Sequence, residues 1–171
     1  FPRTRFTLWS TLAMSKKAFF YCLFSLLLLG GCEGQGLQPE LGLNPRISQS
    51  GDDSSPSLAA TGMAWIAPGS AQVRWLDFST GFGSPLPGLN RPDAQPISVS
   101  VDSAGKRFAL VRSLAGRTEL LIYERNLALL RPIGLVPAGV PAKVAISGDG
   151  RVLAVQVSRG GRWQVELLDL P

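Results

Sequence analysis

Five landmarks in the second half of this chain return at one fixed interval. Pro96, Gly105, Ala109, Gly116 and Arg117 reappear as Pro141, Gly150, Ala154, Gly161 and Arg162, each 45 residues later. The segments between them agree in chemistry. Ile97-Ser-Val-Ser-Val101 matches Ala142-Lys-Val-Ala-Ile146, Arg107-Phe-Ala-Leu-Val111 matches Val152-Leu-Ala-Val-Gln156, and Glu119-Leu-Leu-Ile-Tyr-Glu124 matches Gln164-Val-Glu-Leu-Leu-Asp169. A degenerate earlier copy runs through Gly62-Met-Ala-Trp-Ile-Ala67 and Gln72-Val-Arg-Trp-Leu-Asp77, with a shorter middle hairpin. The acidic ends Asp77, Glu124 and Asp169 lie 47 and 45 residues apart. One copy cannot bury its own apolar face, so the copies must stack on one another.

Within each copy the apolar residues alternate, which predicts strands rather than helices. Tight turns separate them. Asp102-Ser-Ala-Gly105 and Gly148-Asp149-Gly150 form the first turns, where Asp bonds its own backbone and Gly takes positive φ without steric cost. Arg112-Ser-Leu-Ala-Gly116 and Ser158-Arg-Gly-Gly161 form the second. A fourth, outer strand is expected at residues 83–86 and 128–131, and the third copy reaches Pro171 without one. Four short strands at this period suit a propeller blade. High Gly (19) and Pro (13) counts with 17% charged residues point the same way, to a turn-rich β protein.

The stretch Ile146-Ser-Gly-Asp-Gly-Arg-Val-Leu-Ala-Val-Gln-Val-Ser-Arg-Gly-Gly-Arg-Trp-Gln-Val-Glu-Leu-Leu-Asp169 resembles the blade repeat of TolB-type, WD40-like propellers. Val101-Asp-Ser-Ala-Gly-Lys-Arg-Phe-Ala-Leu-Val111 is a weaker match to the same motif. The resemblance implies an all-β fold, a partial β-propeller of about three four-stranded blades. It departs from TolB in having three copies and no separate N-terminal domain, so TolB's contacts with envelope lipoproteins do not transfer residue by residue.

Ahead of the repeats, Met14-Ser-Lys-Lys begins a positive segment, and Phe1 to Ala13 lies upstream of that better start. An uncharged run from Ala18 to Leu29 follows. At twelve residues it is short of the roughly 20 that span a bilayer and fits a secretory leader helix. Leu29-Gly30-Gly31-Cys32 comes next and resembles a bacterial lipobox. The resemblance implies cleavage after Gly31, a lipid anchor on Cys32, and a periplasmic address. Glu33 after the cysteine implies the outer membrane. The competing readings are a transmembrane anchor, disfavoured by length, and a plain signal peptide with a chance cysteine.

Residues 33–57 are rich in Gly, Gln, Ser, Asp and Pro and read as a flexible tether. The alternative is that residues 41–47 pair as an edge strand. The expected division is leader 1–31, lipid-anchored linker 32–57, and repeats 58–171, with copies near 58–95, 96–140 and 141–171.

The +5 net charge belongs to the leader. Arg3, Arg5, Lys16 and Lys17 precede Cys32 without an acid, and 13 basic residues face 12 acidic ones from Cys32 onward. A nucleic-acid partner is therefore not expected. With no histidine, Ser-His and Cys-His nucleophile pairs are ruled out. No Gly-x-Ser-x-Gly elbow, zinc cysteine set or complete calcium loop around Asp52-Asp53 is present, so no metal, no cofactor and no catalytic residues are assigned. Asp77, Glu124, Asp149 and Asp169 read as turn and strand-end residues rather than a carboxylate pair. Trp65, Trp75 and Trp163 read as packing residues, the competing role being an aromatic anchor. Arg112, Arg117, Arg159 and Arg162 gather at the second turns and, with Trp163, are the candidates for a binding rim; the competing reading is solvated hairpin tips.

The function these features imply is a lipid-anchored, non-catalytic protein-interaction module of the cell envelope. The alternatives are a structural or decayed TolB paralogue without a dedicated ligand, and an accessory domain of an envelope enzyme. Three blades leave two open faces. A homodimer completing one six-bladed propeller, an open stack, pairing with another propeller protein, and a truncated gene all meet that condition.

Overall fold

The computed structural model describes residues 54–171, which fall in the compact unit Glu40–Pro171. Cys32, Leu29, Gly30 and Gly31, residues 41–47 and Asp52-Asp53 lie outside the described residues. Three antiparallel sheets are each built from consecutive strands, as the repeat predicts. The first blade contains β1 (Ser54–Leu58), β2 (Gly62–Ala67) and β3 (Gln72–Asp77). The second contains β4 (Ala94–Val101), β5 (Arg107–Leu114), β6 (Arg117–Glu124) and β7 (Leu129–Pro132). The third contains β8 (Val140–Ile146), β9 (Val152–Arg159) and β10 (Arg162–Asp169).

Two features differ from the sequence expectation. Residues 54–57, assigned to the tether, belong to β1, which pairs with β2. Alternating Ser-Ser-Pro-Ser is too polar to read as a strand, yet its hydroxyls have backbone partners on β4. The fourth strand expected at residues 83–86 is a single bridge between Leu76 and Gly83. Pro85 and Pro87 supply no N–H, so a ladder cannot continue there. Its counterpart in the second blade forms, as β7 pairs with β6 from Leu121 to Glu124.

Asn90 compensates for the missing strand. The Val73 N–H donates to Asn90 Oδ1 at 2.8 Å, and Asn90 Nδ2 donates to the Val73 carbonyl at 2.9 Å. One side-chain amide thus presents the donor and acceptor of a strand residue.

The turns follow their chemistry. Ala115 and Gly116 close β5–β6 at φ 49 and 76, and Gly160 and Gly161 close β9–β10 at φ 54 and 77. Two central residues with positive φ match the right-handed twist of the flanking strands. Arg112 is no part of this turn, since β5 continues to Leu114. In the first turn of the second blade, Asp102 Oδ1 accepts the N–H groups of Lys106 (2.7 Å) and Arg107 (3.2 Å). In the third blade that role falls to Ser147, 45 residues on, whose Oγ accepts from Arg151 and Val152. Asp149 supports it by accepting from the Ser147 hydroxyl and the Arg151 N–H.

The blades stack through their apolar faces. Ala64, Ile66, Val73 and Trp75 of the first meet Val99, Val101, Phe108 and Leu110 of the second. On the second blade's other face, Ala109, Val111, Leu120 and Ile122 meet Leu153 and Val155 of the third. The inner strands are also joined by serine hydroxyls. Ser55 and Ser57 on β1 accept the N–H groups of Val99 and Val101 at 3.1 and 3.0 Å. Ser98 and Ser100 on β4 accept those of Val144 and Ile146 at 3.2 and 3.0 Å. Inner strands of neighbouring blades belong to separate sheets, and the hydroxyls join them.

Two stability changes follow. Ser100→Ala leaves the Ile146 N–H without its acceptor and is expected to cost about 1–3 kcal/mol in urea unfolding. Ala115→Gly removes a left-handed Cβ and is expected to gain about 0.5–1 kcal/mol, raising the melting temperature by a few degrees.

Candidate interaction face

Strand β9 alternates strictly. Leu153, Val155 and Val157 are buried, the first two against the second blade, while Ala154, Gln156 and Ser158 point the other way. Register across the β9–β10 hairpin pairs Ala154 with Leu167, Gln156 with Val165 and Ser158 with Trp163. Directly opposed residues share a face, so these six form one surface on the far side of the third blade. Trp163, Val165 and Leu167 are 58%, 69% and 73% exposed. Among the described strands β10 pairs only with β9, so its outer backbone edge accompanies this apolar face. An exposed apolar sheet face beside an open strand edge marks a place where another chain packs.

A second concave feature runs along the inner strands. A groove of about 650 Å³ is lined by residues of β1, β4 and β8, including the serines, Ile97 and Lys143. Its lining mixes five serines and one lysine with apolar residues and holds no carboxylate.

The four arginines of the expected rim are not equivalent. Arg112 lies in β5 with its side chain 7% exposed, and its Nε donates to Glu119 Oε2 at 3.0 Å. Arg159 donates through Nε and Nη2 to the Pro137 carbonyl and pairs with Glu166. Arg117 and Arg162 stay exposed beside the hairpin turns. Of the residues expected at a rim, Arg117, Arg162 and Trp163 are exposed, whereas the period of two puts Arg112 on the inward side of its strand. Of the described tryptophans, Trp65 and Trp75 are buried and Trp163 is exposed.

Asp77 and Asp149 act on their own turns. The Ser79 hydroxyl and N–H hold Asp77 below its ordinary value, and the Ser147 hydroxyl with the Arg151 N–H does the same for Asp149. Glu124 pairs with Arg131 and lies 3.8 Å from Arg107. Among the described residues no three His, Cys, Asp or Glu side chains gather into a group suited to a metal ion.

No protein-family model matches the chain. No curated protein matches it either. Solved structures do. TolB from Acinetobacter baumannii is similar at 17% identity and a TM-score of 0.57, over 69% of this chain and 30% of that one. A putative TolB from Agrobacterium tumefaciens gives 10% identity and 0.59, over 72% and 48%. Kuenenia stuttgartiensis hydrazine synthase gives 14% and 0.51, over 69% and 34%. The chain thus spans less than half the length of each of these structures. At these identities the likeness is one of fold: the described residues form part of a TolB-like β-propeller.

The two kinds of arginine separate by measurement. Glu119→Gln leaves a buried guanidinium without its carboxylate and is expected to cost roughly 2–4 kcal/mol, below the full buried-pair value because Glu119 is 36% exposed. Arg117→Ala at the exposed turn is expected to stay within about 0.5 kcal/mol, both read by urea unfolding.

Proposed function

We propose that this chain is a non-catalytic, protein-binding propeller module held by lipid on Cys32 at the periplasmic side of the outer membrane. The observation that carries the binding reading is the exposed face of Trp163, Val165 and Leu167 beside the open edge of β10. A solvated face has no use for three large apolar side chains in register, whereas burial of each on a partner contributes about 1.5–3 kcal/mol. The address rests on the uncharged run from Ala18 to Leu29 and on Leu29-Gly30-Gly31-Cys32. Two or more acyl chains give a stable anchor, and a single chain does not. The tether from residue 33 lets the propeller reach a partner away from the membrane surface.

The reading is tested in intact envelopes with a photo-crosslinking residue at Trp163 and, as control, at Arg117. The expected result is a discrete protein adduct from position 163 alone. A folded chain that gives none would leave a structural role without a dedicated ligand. In the same cells the wild type is expected to take up labelled fatty acid and sediment with outer membranes, and Cys32→Ser to do neither. Unlabelled wild type in the cytosol would sink the address.

A further inference from the structure

One cross-strand pair of the first blade departs from the repeat. Three residues before the acidic end of each copy stand Arg74, Leu121 and Glu166, and directly across the hairpin from them stand Trp65, Leu110 and Val155. In the second blade both members are buried apolar residues. In the third, Glu166 pairs with Arg159. In the first, a half-buried guanidinium stands beside a buried indole on the face turned away from the second blade. Among the described residues Trp65 Nε1 has no acceptor, and Arg74 has no ion pair or hydrogen bond from its side chain. Asp77, the acid at the end of the same strand, gives its carboxylate to the Ser79 hydroxyl and N–H. A buried donor without an acceptor destabilises the fold that holds it, so its presence calls for a reason.

Both groups line one cavity of about 680 Å³. It lies along the outer edge of β3, where the first blade has a single bridge in place of a fourth strand. The segment from Gly81 to Leu86 forms the far wall, and Pro85 keeps it from closing onto β3 as a ladder. Leu76, Phe82, Pro85 and Leu86 supply apolar lining, and among the described residues no Asp or Glu lines the cavity. Met63, Trp65 and Leu76 are 9%, 4% and 2% exposed, so this face is covered within one chain and the cavity is not a bare blade face. Trp75 also lines it, but its ring turns the other way, to Phe108, so the donor assigned to the cavity is that of Trp65.

The volume falls within the roughly 300–1,000 Å³ that takes a small molecule. An indole N–H and a guanidinium can only donate, so what they bind must accept. A cation without a carboxylate asks for an anion, and the guanidinium fork matches the two oxygens of a carboxylate. The apolar wall asks for hydrocarbon on the same molecule. We propose that this cavity binds a small carboxylate with an aromatic or aliphatic body. Arg74 grips the carboxylate, Trp65 Nε1 donates to one of its oxygens, and the body lies along Leu76, Pro85 and Phe82. The site belongs to the first blade, whereas the Trp163 face belongs to the third. It adds a small ligand to the protein-binding reading and stands independently of it.

The indole N–H resonances of the full isotope-labelled chain in a non-ionic detergent read the outcome, the Trp65 signal being the one that Trp65→Phe removes. Sodium phenylpropionate is expected to move that signal downfield and to saturate. Acetate lacks the body and phenylpropanol lacks the charge, and each is expected to bind at least about tenfold more weakly. Arg74→Gln is expected to weaken phenylpropionate by a similar factor. Gly83→Leu is expected to abolish its binding. Gly83 faces Leu76 across the bridge, and a Cβ there meets the Trp75 carbonyl oxygen at an ordinary 3.6 Å, so the new side chain enters the cavity without moving the backbone. Arg117→Ala, at the exposed turn of the second blade, is expected to bind as the wild type does. The near-UV circular dichroism of buried Trp75 checks that each variant is folded, and the comparison of probes on the wild type decides even where a variant is not. A wild type without a saturable shift, equal affinity for the three probes, or folded Arg74→Gln and Gly83→Leu variants with unchanged affinity would overturn the site.

Discussion

The second blade is covered on both sides by its neighbours, and the rest of the fold follows from that burial. Phe108, Leu110 and Tyr123 pack on one face, and Ala109, Val111 and Ile122 on the other. Each large side chain removed from water contributes about 1.5–3 kcal/mol, while a serine hydroxyl bonded to an N–H contributes about 1. The faces therefore hold the blades together, and the hydroxyls set the register in which they meet. A sheet of three strands has no equivalent burial alone, which is why the repeat interval is a statement about stacking rather than about any one strand.

Trp75 shows how closely the first two blades approach. Its ring meets Phe108 edge-on at 5.4 Å, Phe108 meets Tyr123 at 6.0 Å, and the Arg125 guanidinium lies 5.1 Å from the indole centroid. The indole is admitted by two glycines. A Cβ on Gly62 would lie 2.4 Å from the ring, and one on Gly105 would lie 2.8 Å from it. Gly105 belongs to the second blade, so the glycine of its first turn is a contact surface as well as a turn residue. Gly150 repeats the arrangement, with its backbone against Arg107 and Asp102.

The strands and their order were legible because alternation and a fixed interval are properties of sequence. The inner strand of the first blade was not, because Ser54–Leu58 takes its place through hydroxyl contacts to β4 rather than through apolar residues. Arg112 was misplaced because a cationic side chain four residues before a turn glycine looks like loop, and only the pairing with Glu119 places it inside. Asn90 carried no signal as a single asparagine in a Pro- and Gly-rich stretch. The recurrence of Gly-Leu-Asn at 42 and 88 was the available clue. Of the interaction face, the alternation of β10 was visible, but which of its sides lay open depended on the direction of stacking.

The amide of Asn90 separates the margin of the first blade from the path of the chain beyond it. Because one side chain satisfies the backbone of Val73, the stretch from Phe78 to Leu89 has to hold only the bridge from Gly83 to Leu76, the Pro87 carbonyl on Tyr123 and the buried Leu86 and Leu89. Its exposed residues are free to drift as long as those contacts and the asparagine keep their places. Evolution has here a hem with a few fixed stitches: residues inserted between them would add surface to the rim and leave the sheet unaltered.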